Sequence, residues 1–383
     1  MELEAIAEMN RAVGDPDIIS LSGGNPAPEV FPMDLIRALA DKVLQDHGRS
    51  ILEYSPAVGL SSLREALAGY MSEQGTPAAQ ENIMITHGSQ QVTDLLGKIL
   101  LEPGDLVAVE DPTFLGALQA FNSYQVEYVT IPCDDDGPIP DALDELLKRH
   151  RVKLVYLVPT FQNPSGFVVP LERRKQLADI TARHETLVLE DDPYGRLRYR
   201  GEELPFIKAS DTTGNIIYTS TFSKLLAPGL RIGWLVADAE IIRPLTSAQE
   251  ACDQHTNGLG QAIACGFLEG GHLEKHLPMI IQDYSQKLDA MCESMDKYFP
   301  SQAMWEKPEG GMFVWVEMPE GIDMGELYPR AIERGVAFVP GKYFYVKGGG
   351  ENTMRLNFSF PAQADIVAGI ERLGMVLKEA LTG

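Results

Sequence analysis

Positive charge is scarce in this sequence. Lys and Arg number 32 against 55 Asp and Glu in 383 residues, a formal net charge of −23. Such a surface repels nucleic-acid phosphates and anionic lipid, so neither is expected as a partner. It does not exclude a small anionic ligand, because a local pocket can be basic in an acidic protein. Cysteine is scarce as well. Cys133, Cys252, Cys265 and Cys292 form no C-x-x-C pair, and no signal peptide precedes them. Reduced, mostly buried thiols and a cytoplasmic location are therefore the expectation. No apolar run approaches the roughly 20 residues of a membrane span. Internal repeats, low-complexity tracts and Ser/Gly linkers are also missing. One glycosylation triplet occurs, Asn357-Phe358-Ser359; its setting is strand-like, and we read it as incidental.

What remains is a globular composition, 44% hydrophobic and 23% charged, able to bury a sizeable core. From about residue 83 to 237, short apolar runs alternate with helix-like segments. The runs are Ile83–Thr86 (IMIT), Leu106–Val109 (LVAV), Leu154–Val158 (LVYLV), Leu187–Glu190 (LVLE), Ile216–Thr219 (IIYT) and Ile232–Ala237 (IGWLVA). They lack polar alternation, which predicts strands covered on both faces. Helices are predicted over 89–101, 141–150 and 171–185, the last two entered through Pro140 and Pro170. This order predicts an α/β fold with a mainly parallel sheet and right-handed crossovers. The last third reads differently. A long helix over 273–299 precedes strands at 312–318, 336–340 and 354–358, with helices at 324–334 and 364–381. That pattern predicts a smaller α+β domain.

In an open parallel sheet, ligands bind beyond the carboxyl ends of the strands. Five strand ends here carry polar or aromatic groups: His87-Gly88-Ser89-Gln90, Glu110 to Phe114, Pro159 to Gly166, Asp191 to Tyr194, and Ser220 to Lys224. Gly88-Ser89-Gln90 opens a helix, where free N–H groups and the helix dipole suit a phosphate. Thr221, Ser223 and Arg231 can serve the same dianion. Asp191 can pair with a protonated ring nitrogen, Tyr194 can donate to a phenolate oxygen, Phe114 can stack on a ring, and Lys224 can form an imine. A phosphorylated aromatic aldehyde with a basic ring nitrogen, pyridoxal 5′-phosphate, uses all of these groups. His87 is read as a turn or pocket-wall residue, since no metal spacing or triad accompanies it. Gly258-x-Gly260 with Gly266 lacks the spacing of a dinucleotide loop.

With NPSG at 163–166, EDDPYG at 190–195 and TFSK…PGLRIGW at 221–234 in this order, the sequence resembles the class I/II aminotransferases. These are fold type I pyridoxal-phosphate-dependent transferases. The likeness runs from LSGGNP at 21–26 to MRLNF at 354–358. It is greatest to the branch of α-aminoadipate and aromatic aminotransferases and MocR-like regulators. The resemblance implies a large domain over 31–275 with a mainly parallel seven-stranded sheet covered by helices. The smaller α+β domain would comprise 1–30 and 276–383.

It implies Lys224 as the Schiff-base lysine and proton carrier, and Asp191 as the partner of the pyridine nitrogen, with Asp192 out of register. Tyr194 and Asn163 would bond the cofactor's 3-oxygen, and Phe114 would stack on its ring. Ser89, Gln90, Thr221, Ser223 and Arg231 would form the phosphate cup. Tyr54 would reach the neighbouring subunit's phosphate in a homodimer with active sites at the interface. Arg355 would clamp the substrate carboxylate, with Asn163 also binding the substrate and Gly24 lining that site. No metal is implied.

The implied reaction is ping-pong transfer of an amino group from an L-amino acid to a 2-oxo acid, with 2-oxoglutarate as acceptor by analogy. The donor range would be aromatic, α-aminoadipate-like or broad. The alternatives are another pyridoxal-phosphate reaction, as in carbon–sulfur lyases, decarboxylases or synthases, or a ligand sensor of the MocR kind. The sensors carry an N-terminal helix-turn-helix domain, for which the roughly 20 residues before LSGGNP leave no room on this reading. Family members also have a longer N-terminal arm in which an arginine helps recognise the substrate. The opening MELEAIAEMN puts that contact in question.

Overall fold

The computed structural model describes residues 14–382. The expected effect of the short N-terminal arm falls on residues 1–10, outside the described residues. Seven strands form the central sheet: β1 (Ile83–Thr86), β2 (Leu106–Glu110), β3 (Glu127–Ile131), β4 (Val152–Leu157), β5 (Leu187–Asp191), β6 (Ile216–Thr221) and β7 (Gly233–Val236). Their spatial order is β1-β7-β6-β5-β4-β2-β3. All neighbours pair in parallel except β7, which runs antiparallel to both β1 and β6.

Six of these strands are the apolar runs of the sequence. They are buried because apolar side chains pack on both faces. Met84, Val107, Leu154 and Leu189 enter one core; Ala108, Val155 and Val188 enter another. The seventh strand, β3 (EYVTI), escapes the sequence reading. It is an edge strand with partly exposed residues at 127, 128 and 130, so no continuous apolar run marks it. The expected helices stand at Ser89–Leu100, Pro140–Arg149 and Leu171–Arg183. Pro140 occupies the first turn of its helix with Asp141, where a missing N–H costs nothing and negative charge meets the dipole.

A second, antiparallel sheet contains β8 (Met304–Trp305), β9 (Phe313–Glu317), β10 (Val339–Pro340) and β11 (Thr353–Asn357), in the order β8-β9-β11-β10. The single strand expected over 336–340 is divided. Val336–Ala337 pairs in parallel with Ile19–Ser20, and Val339–Pro340 joins β11. The segment serves two sheets, so it changes partner at the fully buried Phe338. The helix His272–Tyr298 packs along the helix Gln363–Thr382.

All four cysteines are unpaired. The glycosylation triplet is interior: Asn357 and Ser359 are fully buried, and Asn357 Nδ2 donates to Ser359 Oγ at 2.9 Å. Among the described residues no helix is long and apolar enough to cross a membrane.

Candidate active site

The carboxyl ends of β1, β2, β4, β5 and β6 border one cavity of about 310 Å³, within the ~300–1,000 Å³ usual for small-molecule sites. Of the residues singled out in the sequence, Gly24, Ser89, Gln90, Phe114, Asn163, Asp191, Tyr194, Thr221, Ser223, Lys224, Arg231 and Arg355 all line it. Tyr54 does not. It is 78% exposed, with its ring edge-on to His255 at 5.8 Å.

One end of the cavity is a cradle for an anion. Gly88 has a positive φ of 76° and starts the helix Ser89–Leu100. A Cβ at Gly88 would come within 2.6 Å of Arg231 Nη2, so glycine lets the guanidinium lie against the helix entrance. Arg231 also has left-handed backbone, φ 55°. Its Nη2 donates to the His87 carbonyl at 2.9 Å, and its Nη1 lies 3.4 Å from Ser223 Oγ. Ser223 Oγ and Thr221 Oγ1 are 2.9 Å apart. Gln90 Nε2 donates to the Gly116 carbonyl at 2.5 Å. The His87 ring stands 2.9 Å from an Asp253 carboxylate oxygen, outside the cavity lining, as a turn residue should.

The middle holds the reactive groups. Lys224 Nζ donates to the Gly24 carbonyl at 2.7 Å. Removal from water, then the nearby Arg355 and Arg231, bring its ammonium down to about 8. Asp191 is buried at the end of β5. It accepts from Tyr156 Oη at 2.8 Å through Oδ2, while Oδ1 is buried without a partner. Burial raises Asp191 to about 7, partly opposed by the Tyr156 bond. The strand's alternation turns Asp192 away: it accepts from Tyr218 Oη at 3.2 Å and from the Gly195 N–H at 3.0 Å.

The other end is organised by Arg355, buried on β11. Its Nη1 donates to Asn163 Oδ1 at 2.7 Å and its Nη2 to the Ser22 carbonyl at 2.6 Å. The guanidinium lies 4.1 Å from the Phe313 ring centroid, and Nε has no partner. Asn163 Nδ2 in turn donates to Tyr194 Oη at 3.2 Å. Burial brings Arg355 down to about 10 and pushes Tyr194 up to about 12. Near neutral pH the first stays a cation and the second a phenol.

A family profile described as aminotransferase class I and II matches residues 16–373. The chain belongs to the class I and II aminotransferases. It is 44% identical to aromatic-amino-acid aminotransferase 1 of Thermococcus litoralis, across 100% of this chain and 93% of that one. Among solved structures, it matches a Pyrococcus horikoshii kynurenine aminotransferase bound to PMP at 45% identity and TM-score 0.95. That match covers 99% of this chain and 95% of that one. It also matches LysN, an α-aminoadipate aminotransferase of Thermus thermophilus complexed with N-(5′-phosphopyridoxyl)-L-leucine. There the identity is 38%, the TM-score 0.91, and the coverage 99% and 95%.

The cofactor of this aminotransferase family is pyridoxal 5′-phosphate, and the residues present fit it. The cavity pairs an anion cradle with a lysine of lowered pKa and a buried carboxylate oxygen lacking a partner. Among the described residues no cluster of three His, Cys, Asp or Glu could hold a metal ion.

Two parts of the aminotransferase site escaped the sequence reading. Tyr156 lies inside the run LVYLV, where it reads as core; its hydroxyl among aliphatic neighbours is the only signal. The second part is a buried brace. Glu110, raised to about 8 by burial, accepts from the Val158 N–H at 3.1 Å and Gln162 Nε2 at 3.0 Å. Gln162 Oε1 then accepts from Ser165 N and Oγ at 2.8 and 2.6 Å. This brace shapes the loop that carries Asn163.

Proposed function

We propose that this aminotransferase uses 2-oxoglutarate as acceptor, takes aromatic or α-aminoadipate-like donors, and works in ping-pong order. One observation carries the residue roles: a single cavity joins Lys224, the partnerless Asp191 Oδ1 and the partnerless Arg355 Nε. Pyridoxal 5′-phosphate, when bound, supplies an electrophilic aldehyde and a ring that accepts electrons from the substrate Cα. Ser89, Gln90, Thr221, Ser223 and Arg231 would hold its phosphate. Asn163 and Tyr194 would bond its 3-oxygen, Asp191 its ring nitrogen, and Phe114 would stack on the ring.

Arg355 binds and orients the substrate carboxylate. Its bonds to Asn163 and Ser22 hold the guanidinium in advance, which reduces the entropy lost on binding. Lys224 Nζ moves the proton from Cα. A pKa of about 8 leaves part of it as neutral amine near pH 8, as a base requires. Asp191 would supply the compensating negative charge to a protonated ring nitrogen.

On the same reading, residues 31–275 form the cofactor-binding domain, and 1–30 with 276–383 the smaller one. The protein is a cytoplasmic homodimer in which the exposed Tyr54 serves the partner's phosphate, and it binds neither nucleic acid nor membrane. Borohydride reduction followed by peptide mapping should find a pyridoxyl group on Lys224. A reducible group carried elsewhere by a Lys224→Ala variant would overturn that role. Aromatic, acidic and branched donors offered with 2-oxoglutarate should yield the matching oxo acids and glutamate. Ammonia, carbon dioxide or thiol release without glutamate would favour a lyase or decarboxylase.

A further inference from the structure

Two tyrosine–aspartate pairs meet at the end of β5, on opposite faces. Asp192 takes Tyr218 Oη on one oxygen and the Gly195 N–H on the other, and neither Asp192 nor Tyr218 lines the cavity. Asp191 takes Tyr156 Oη on Oδ2, and its Oδ1 is left without a partner. Both Tyr156 and Asp191 line the cavity. Tyr156 is fully buried, edge-on to Phe121 at 6.0 Å. Burial, then Asp191, pushes its phenol well above the usual range, so it remains a hydroxyl donor.

We propose that Tyr156 is a positioning residue for Asp191. Its hydroxyl occupies Oδ2, so the oxygen presented to the cavity is Oδ1. A hydrogen bond to the charged form also favours the carboxylate against the burial that protonates it. The charged or titratable neighbours work the other way. Asp192, the next residue in the chain, raises Asp191, while Glu110 at the end of β2 is itself raised by burial and by Asp191 across β4. Tyr194, in the loop that follows β5, stays a neutral phenol. Tyr156 is thus the protein group that favours the Asp191 carboxylate, against its burial, before a protonated ring nitrogen arrives. This rests on the cofactor reading given above and adds a residue to it.

The test compares wild type, Y156F and Y218F, each loaded with pyridoxal phosphate. Phenylalanine keeps the ring packed and removes only the hydroxyl. Y156F should release cofactor on the order of tenfold faster and lose a similar factor in kcat, with KM changed less than about threefold. Without the hydroxyl, Asp191 stays protonated to higher pH, so the acid limb of cofactor binding should move up by about one unit. Y218F, which loses an equally buried tyrosine bond, should lower the melting temperature and leave release at the wild-type value; because it weakens the Asp192 charge that raises Asp191, any shift of its acid limb runs downward, opposite to that of Y156F. In a D191N background, Y156F should add little, because it acts through Asp191. Wild-type release and an unshifted acid limb in Y156F would overturn the inference, as would a full additional effect in D191N. If wild type itself carries no cofactor on Lys224, the functional reading fails instead.

Discussion

Two buried polar clusters flank β5, and they differ in whether their bonds are complete. On the Glu190 side, Arg174 donates to the carbonyls of Val169, Pro205 and Pro159 and to Thr160 Oγ1, between 2.7 and 3.1 Å. Glu190 accepts from the N–H groups of Ile207 and Lys208, each at 2.8 Å. On the Asp191 side, Asp191 Oδ1 and Arg355 Nε lack partners. Both clusters take charge out of water, which is costly unless the bonds are made. The complete cluster is a strut. The incomplete one borders the cavity and leaves bonds open there, so between these two clusters it is the unmet hydrogen bonds, rather than buried charge itself, that distinguish the cavity side.

The comparison breaks most sharply at Lys224. Lys224→Ala should reduce amino transfer on the order of 10⁶-fold while leaving the fold intact, measured by glutamate formation and melting temperature. The two arginines should then fail in opposite ways. Arg355→Ala should lower kcat/KM roughly 10³-fold, with stability changed far less, because it removes a ligand contact. Arg174→Ala should cost about 3–5 kcal/mol of stability in denaturant melts, because it strands the Val169, Pro205 and Pro159 carbonyls and removes the cation that favours the Glu190 carboxylate. Any folded fraction of that variant should still bind cofactor.

A smaller effect is expected with pH. Lys224 must be a neutral amine to attack an aldehyde, and its pKa is depressed to about 8. Capture of pyridoxal phosphate by cofactor-free protein should therefore speed up about tenfold between pH 7 and 9. Asp191, raised to about 7, ionises over the lower part of that range and adds in the same direction. Stopped-flow absorbance would follow both. A rise of about a hundredfold would mean that Lys224 is less desolvated than its surroundings imply, and a flat profile that its ammonium titrates below pH 7. Removing one hydroxyl of the cradle, as in Ser223→Ala, should weaken cofactor binding only about three- to tenfold.

Much of this was legible beforehand, for identifiable reasons. IMIT, LVAV and IIYT read as strands because full burial on both faces imposes continuous apolar runs. Gly88, Lys224 and Arg231 stood out because a helix entrance, a lysine and an arginine beside hydroxyl residues suit a phosphate-bearing aldehyde. β3 was hidden because Glu127, Tyr128 and Thr130 are partly exposed, so it carries no continuous apolar run, unlike the fully buried IMIT at the other edge of the sheet. Tyr156 and Glu110 were hidden because their roles depend on neighbouring strands: Tyr156 meets Asp191 across the β4–β5 pairing.

By itself, the sequence determined which chemical groups were available and that strand ends would carry them. Periodicity and residue chemistry are local properties, written every two or four positions along the chain. Only the tertiary structure decided that Arg355 reaches Asn163 across 192 positions, and that Asp191 keeps an oxygen free while Asp192 does not. Those outcomes depend on strand order and on competition among partners, and no local pattern encodes which hydrogen bonds are left unmade.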